Sequence, residues 1–336
     1  MAFKQAQEAS FDINKIASSV EKELSEISFQ ASREVSLIDS YRPEFSARIE
    51  AIGDGSGGLL GLTTGFPDLD VVSGGFVGGD LWIVASRPAM GKTALAVSFL
   101  EAVAKKGIPV LMISLEMSGS QIYARLACSK ASVNILNFRS GKLLAEDYGK
   151  FIVAEAEIQP LPFYLADTAV SGCDEANIRG IIRKAVRKYG IKLVVIDYLQ
   201  LMGVKGHRGS RENEVSTISR ALKRLARQLD IPIVALCQLS RKCEERPNKR
   251  PVMSDLRESG AIEQDADGII GLYRDEYYNK ESDSKGIAEV MLLKQRNGPA
   301  CTVKLQFAAA FARFGNLDKD RQEPETQKSF GINEWE

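Results

Sequence analysis

From Asp80 onward the chain alternates short, nearly continuous apolar runs with longer stretches in which apolar positions return every three or four residues. DLWIVAS (Asp80–Ser86), IPVLMISLE (Ile108–Glu116), IKLVVIDYLQ (Ile191–Gln200) and IPIVALCQLS (Ile231–Ser240) are the apolar runs. Each predicts a strand buried on both faces. FYLAD (Phe163–Asp167) is a shorter strand-like run, and later strands are expected over Gly268–Tyr273, Ala288–Gln295 and Cys301–Phe307. Between the runs, KTALAVSFLEAVAKKG predicts a helix stopped at Gly107, ANIRGIIRKAVRKYG a helix with a basic face, and Glu212–Asp230 a third. Ser118–Ser129 and Ala145–Ala156 fit two more. Alternation of this kind predicts an α/β fold built on a mostly parallel central sheet.

The two ends of the chain read differently. INKIASSVEKELSEI carries a narrow apolar stripe over Ile13–Ile27, enough for a helix that caps the body or packs on a partner subunit, but too little for a domain core. GDGSGGLLG (Gly53–Gly61) is a glycine-rich linker. From Asp318 to the end, 6 acids, 3 bases and scattered apolar residues predict a flexible tail. The expected organisation is a helical and flexible linker segment over residues 1–52, one compact domain over 53–317 and a disordered tail over 318–336.

Composition narrows the class. No run of 18 uncharged apolar residues exists among the 336, so no membrane span is expected, and the first residues lack an apolar signal core. The five cysteines are scattered and odd in number, which suits a reducing compartment and a cytoplasmic location. His207 is the single histidine, so a histidine-rich metal site is excluded. Net charge is zero, yet Lys205–Arg250 holds 12 Lys or Arg against 5 Asp or Glu. Such a patch can attract a phosphate backbone, or it can be a solvated helix and loop.

The candidate chemistry starts at SRPAMGKT, which links the Asp80–Ser86 run to the following helix pattern. It matches the phosphate-loop pattern G-x-x-x-x-G-K-[ST] except at Ser86, and strand-loop-helix is the context such a loop requires. Across Ser86, Arg87, Pro88, Ala89, Met90, Gly91, Lys92 and Thr93, backbone N–H groups and the helix N-terminus can hold phosphate oxygens. Lys92 can reach the β- and γ-phosphates of ATP, Thr93 can bind Mg²⁺, and Pro88 stiffens the loop. Serine can replace the first glycine provided φ there is not positive. Asp197 closes LVVID and offers a carboxylate to the metal, or simply caps the strand end. Glu116 closes another apolar run and can act as general base if its strand neighbours that of the loop. Gln238 closes IVALCQ, where a neutral amide can sense the γ-phosphate. Four strand ends converging on one site is a stronger signal than any one residue.

With these residues in place, the sequence closely resembles the motor domain of the bacterial and phage replicative DNA helicases, the DnaB family. TTGFPDLD, SRPAMGKT, ISLEMS, VVIDYLQLM, ENEVSTISRALKRLA, QLSR, RPVMSDLRESGAIEQDAD, LYRDEYY and LLKQRNGP carry the resemblance, over about Gly61 to Leu317. It implies a RecA-like ATPase core in a hexameric ring around single-stranded DNA, with ATP and Mg²⁺ between subunits and 5′→3′ travel on forked duplex. Lys92 and Thr93 then resemble the Walker A pair, Glu116 the catalytic glutamate, Asp197 the Walker B aspartate and Gln238 the coupling glutamine. Lys294 and Arg296, in KQRNG, match the basic pair offered to a neighbour's γ-phosphate, with Arg296 as arginine finger. Read alone, the same pair is equally an edge-strand solubility device. Arg125 and Arg241 are further candidates at the nucleotide interface. LRESG resembles the channel loop, with Arg257 and the Gly260 N–H on DNA phosphates and Glu258 orienting or contacting within the loop. Lys205, Arg208 and Arg211 form a second basic loop, either DNA-facing or solvated. A helicase loader is a candidate partner. The family's helical N-terminal domain is not expected within residues 1–52, which argues against primase coupling through it. The Ile13–Ile27 stretch resembles the linker helix that docks on an adjacent subunit.

Two other classes share parts of this pattern. A RecA- or RadA-like recombinase would use the same loop in an open filament, and a ring-shaped loading factor would bind ATP without motor action. DLRESGAIEQDAD and KQRNG favour the helicase over the first, and the set Lys92, Glu116, Asp197 and Arg296 favours it over the second.

Overall fold

The computed structural model of the chain describes residues 37–53, 58–167, 174–204 and 209–317. The chain divides into two units, Met1–Gly58 and Leu59–Glu336. In the first, the helix Arg42–Gly53 leaves Phe45, Ile49 and Ile52 exposed, at spacings of four and three residues, on one face. The Ile13–Ile27 stripe and the tail from residue 318 lie outside the described residues.

The second unit is built on a nine-stranded sheet of order β3-β2-β4-β5-β1-β6-β7-β8-β9. The strands are β1 Leu81–Ser86, β2 Val110–Ser114, β3 Phe163–Asp167, β4 Leu193–Asp197, β5 Ile233–Gln238, β6 Gly268–Tyr273, β7 Ile287–Gln295, β8 Cys301–Ala308 and β9 Arg313–Gly315. β1 to β6 run parallel, and β7, β8 and β9 continue the sheet antiparallel. This is the RecA-like P-loop NTPase fold. Within β1, Trp82 and Val84 pack into the core layer that holds Leu95 and Phe99, and Leu81, Ile83 and Ala85 into the layer with Ile182 and Leu222. An unbroken apolar run is what burial on both faces demands.

Three predicted strands run past the ends of the observed ones. β2 ends at Ser114, β4 at Asp197 and β5 at Gln238. After Asp197 the chain turns into a 3-10 turn, Leu199–Leu201, in which Leu199 is buried while Leu201 is exposed, so the apolar run outlasts the strand. The helix Lys92–Ala104 ends three residues before Gly107, whose φ of 74° accommodates the turn that follows. Two short helices, Pro67–Ser73 and Ile135–Arg139, are not legible in the apolar pattern because neither reaches two full turns over a continuous stripe.

Candidate nucleotide-binding site

Parallel strands carry their C-terminal ends to one edge. The register puts Ser86 level with Gln238 and Ser114 level with Asp197, so the ends of β1, β2, β4 and β5 lie side by side. Ser86 is the last residue of β1, is 1% exposed and is absent from the residues with positive φ. A glycine is therefore not required there. The positive φ falls instead on Ala89 (64°) and Gly91 (100°). A Cβ on Gly91 would come within 3.1 Å of Phe307 and 3.2 Å of Phe314, so the positive φ calls for this glycine and a side chain there would also press on the two rings.

The loop is gripped on both sides. Arg87 donates to the Leu239 carbonyl at 2.8 Å and pairs with Glu244 at 3.1 Å. Arg274, packed over Phe307 and held by Glu276, donates to the Ala89 carbonyl at 3.2 Å. Met90 is buried in the core, whereas Pro88 and Ala89 are exposed. A loop held through carbonyls and core contacts keeps its N–H groups free to face an anion.

Lys92 and Thr93 open the helix from the N-cap Gly91. The Lys92 ammonium sits 4.7 Å from the centre of the Tyr198 ring. Burial pulls it below the usual lysine range, while the charges of Asp197, Cys237 and Glu116 oppose that shift. The Thr93 hydroxyl donates to Asp197 Oδ2 at 2.7 Å. Asp197 is 1% exposed, and its Oδ1 is buried with no hydrogen-bond partner. A buried carboxylate oxygen without a partner costs free energy. One cation held by this oxygen and the Thr93 hydroxyl would offset that cost, so the donor set fits Mg²⁺.

Glu116 requires a correction. β2 does not neighbour β1, since β4 and β5 lie between them. Glu116 lies two residues past β2 and is exposed. Its charge nonetheless counts among the electrostatic influences on both Lys92 and Tyr198. Arg241 is exposed just past β5, and Arg125 is half-buried on the helix Gly119–Ala131.

Lys294 and Arg296 lie at the other edge. The register sets Trp82 beside Gly268 and Gly268 beside Gln295, so Arg296 is level with the start of β1. Six residues of strand, about 17 Å at the usual rise per residue, separate it from the loop of its own chain. Arg296 pairs with Asp267 at 3.1 Å, and Asp267 also accepts from the Leu81 N–H at 2.8 Å and from Lys223. Lys294 donates to the Glu263 and Ala266 carbonyls at 2.5 and 2.7 Å. Burial, then the charge of Arg296, holds Lys294 below the usual lysine range.

Of the DNA-facing candidates, Lys205 and Arg208 lie outside the described residues. Arg257 and Glu258 fall in the 3-10 segment Met253–Ser259, and Gly260 starts the helix Gly260–Asp265. Arg211 is not in a loop. It begins the helix Arg211–Leu229, pairs with Glu214 and donates to the Gln200 and Met202 carbonyls at 2.9 and 2.8 Å. Its donors hold its own chain rather than standing free for DNA. Sequence reasoning missed Gln200, Asp267 and Arg274. Each lies inside a motif, but none has a chemistry that spacing alone could assign.

The comparisons with known proteins agree with this geometry. The family model for the DnaB-like helicase C terminal domain matches residues 61–316. The chain is 45% identical over 273 residues to the replicative DNA helicase DnaB of Geobacillus stearothermophilus, covering 81% of this chain and 60% of that protein. It is 41% identical over 317 residues to the replicative DNA helicase DnaC of Bacillus subtilis, covering 92% of this chain and 68% of that one. It therefore spans roughly three-fifths to two-thirds of these curated relatives' lengths. Among solved structures, one described as an ATPase domain superposes with a TM-score of 0.79 at 39% identity, covering 85% of this chain and all of that one. A structure described as that of a DnaB-like replicative helicase and its interactions with primase gives 0.77 at 39% identity, covering 88% of this chain and 71% of that one. With the family model matched across the whole sheet and the phosphate loop, the chain belongs to the DnaB-like helicase C-terminal domain family.

Proposed function

We propose that the chain is the ATP-driven motor of a replicative DNA helicase, moving 5′→3′ on single-stranded DNA and separating forked duplex as a hexameric ring. The observation that carries this reading is the placement of the loop and Arg296 at opposite edges of one sheet. No side chain spans that distance, so a subunit with this fold supplies each half of the site to a different neighbour. Head-to-tail contacts of this kind close into rings when the rotation permits.

At each boundary, the loop N–H groups and Lys92 hold the β- and γ-phosphates. Thr93 and Asp197 would hold Mg²⁺, which would supply positive charge against that of the phosphates. Glu116 takes a proton from the attacking water, and Gln238 reads the presence of the γ-phosphate. A neighbour's Arg296 stabilises charge on the transferred phosphoryl, with Lys294 beside it. Arg125 and Arg241 border the same boundary. Arg257, the Gly260 N–H, Lys205 and Arg208 serve as contacts to DNA phosphates, with Glu258 orienting the loop that carries Arg257. Such contacts carry no sequence information, which a translocating motor requires.

The test is strand displacement on forked DNA with ATP, alongside ATP turnover with and without single-stranded DNA. DNA-stimulated turnover and displacement that both vanish in Arg296→Ala support the reading. Displacement that persists in that variant, or turnover indifferent to DNA, sinks it. Electron microscopy with an ATP analogue and single-stranded DNA separates closed rings from the open filaments of a recombinase.

A further inference from the structure

The ladder between β4 and β5 pairs Val194, Val195 and Ile196 with Ile233, Val234 and Ala235. Beyond it, a side chain takes over. Gln200 accepts the Gln238 N–H through Oε1 at 3.1 Å and donates through Nε2 to the Gln238 carbonyl at 2.9 Å. The same Nε2 lies 3.0 Å from Cys237 Sγ. One amide thus holds both backbone groups of the residue assigned to sense the γ-phosphate.

Gln200 is itself held from the other side. Its carbonyl accepts from Arg211 at 2.9 Å, and Arg211 also holds the Met202 carbonyl and pairs with Glu214. Glu214 accepts the Val204 N–H at 2.7 Å, fixing the stretch that runs into the basic loop. A cavity of about 30 Å³ lies among Gln200, Arg211, Gln238, Asp255 and Leu256. Asp255 and Leu256 directly precede Arg257, and Asp255 accepts the Ser240 N–H at 3.3 Å through its carbonyl. The end of β5, the chain after β4 and the segment carrying Arg257 therefore meet around Gln200, beside this small cavity.

We propose that Gln200 is a positioning residue that passes a movement of Gln238 at the γ-phosphate to the segment carrying Arg257, so that nucleotide state sets the grip on DNA. This rests on the roles proposed above for Gln238 and Arg257. Because coupling is reciprocal, bound DNA then raises affinity for the ATP form by the same factor.

The test measures, on the full chain, the affinity for oligo-dT with a non-hydrolysable ATP analogue and with ADP. The ratio of the two is the coupling. Gln200→Leu should lower that ratio by about fivefold or more. Nucleotide affinity without DNA and the thermal midpoint serve as controls, since a merely structural role would move these instead. In a cycle with Gln238→Ala, the second substitution should add little to the first. A wild-type ratio well above one that Gln200→Leu leaves unchanged overturns this inference alone. A wild-type ratio of one overturns the helicase reading together with it. Gln200→Glu keeps the acceptor and volume but loses the donor, so it carries the test if the leucine variant does not fold. Undiminished coupling in it also overturns the proposal.

Discussion

At the edge where β1, β2, β4 and β5 end, the polar groups are arranged for something absent from the chain itself. The Asp197 Oδ1 is buried and unpaired, the loop is anchored through the Arg87 guanidinium and the Ala89 carbonyl, and the Lys92 ammonium is packed on a ring. At the opposite edge, the ionic groups are satisfied internally. Arg296 and Lys223 share Asp267, and Lys294 is held by two carbonyls. In the function proposed above the first edge receives nucleotide, and the second offers donors whose internal contacts leave them little entropy to lose on meeting a neighbour's charge. An isolated chain should therefore bind nucleotide and hydrolyse it poorly.

The largest expected effect breaks one edge at a time. Lys92→Ala should abolish turnover by removing phosphate contact. Arg296→Ala should lower it by about 10³-fold while nucleotide still binds. Mixing the two inactive proteins should restore part of the ATPase, because some boundaries then hold an intact loop opposite an intact arginine. No recovery despite mixed assembly would mean that the two edges do not meet in trans.

The next effect tests the presenting surface. Asp267→Ala leaves Lys223 and the Leu81 N–H without their carboxylate and should cost about 3 kcal/mol of stability, read from urea unfolding. A stability loss within error would show that the finger edge is not prearranged in this way. Assembly comes third. Phe45→Glu with Ile49→Glu charges the exposed stripe of the Arg42–Gly53 helix. If that stripe covers a neighbour, sedimentation should show smaller particles while nucleotide binding is retained; unchanged particles would leave the stripe without this role.

The smallest effect concerns the grip on the loop. The Arg87 hydrogen bond holds the Glu244 carboxyl below its ordinary value of 4.5. A depressed carboxylate stabilises the fold fully above that value and loses its contribution as pH falls through the lowered one. After solvent screening this is about 0.5 kcal/mol. Glu244→Gln should remove that much near neutrality and flatten the stability profile below pH 4.5. An unchanged acid limb would show that Arg87 is held by the Leu239 carbonyl instead.

The receptor edge is largely legible in the sequence. Buried parallel strands read as apolar runs, and the residue closing each run lands at the ligand-bearing edge, so Asp197, Gln238 and the loop can be named from pattern alone. Glu116 is harder, because its role is tied to a strand neighbour that the sheet order does not supply. Local pattern carries no strand order. Arg211 stands out in the sequence by charge alone, and charge says nothing about whether a guanidinium faces solvent or its own chain's carbonyls.

What the sequence by itself determined is the main strands and the longer helices, the phosphate loop and its acids, and through its motifs the family. These follow from periodicity and from chemistry confined to a few neighbouring residues. Only the tertiary structure decided that Ser86 needs no glycine, that Asp197 keeps an unpaired oxygen, that Gln200 clamps Gln238, and that Arg296 stands a full strand length from its own loop. Each of these depends on register and on contacts between residues far apart in the chain, which are settled when the sheet closes and not before.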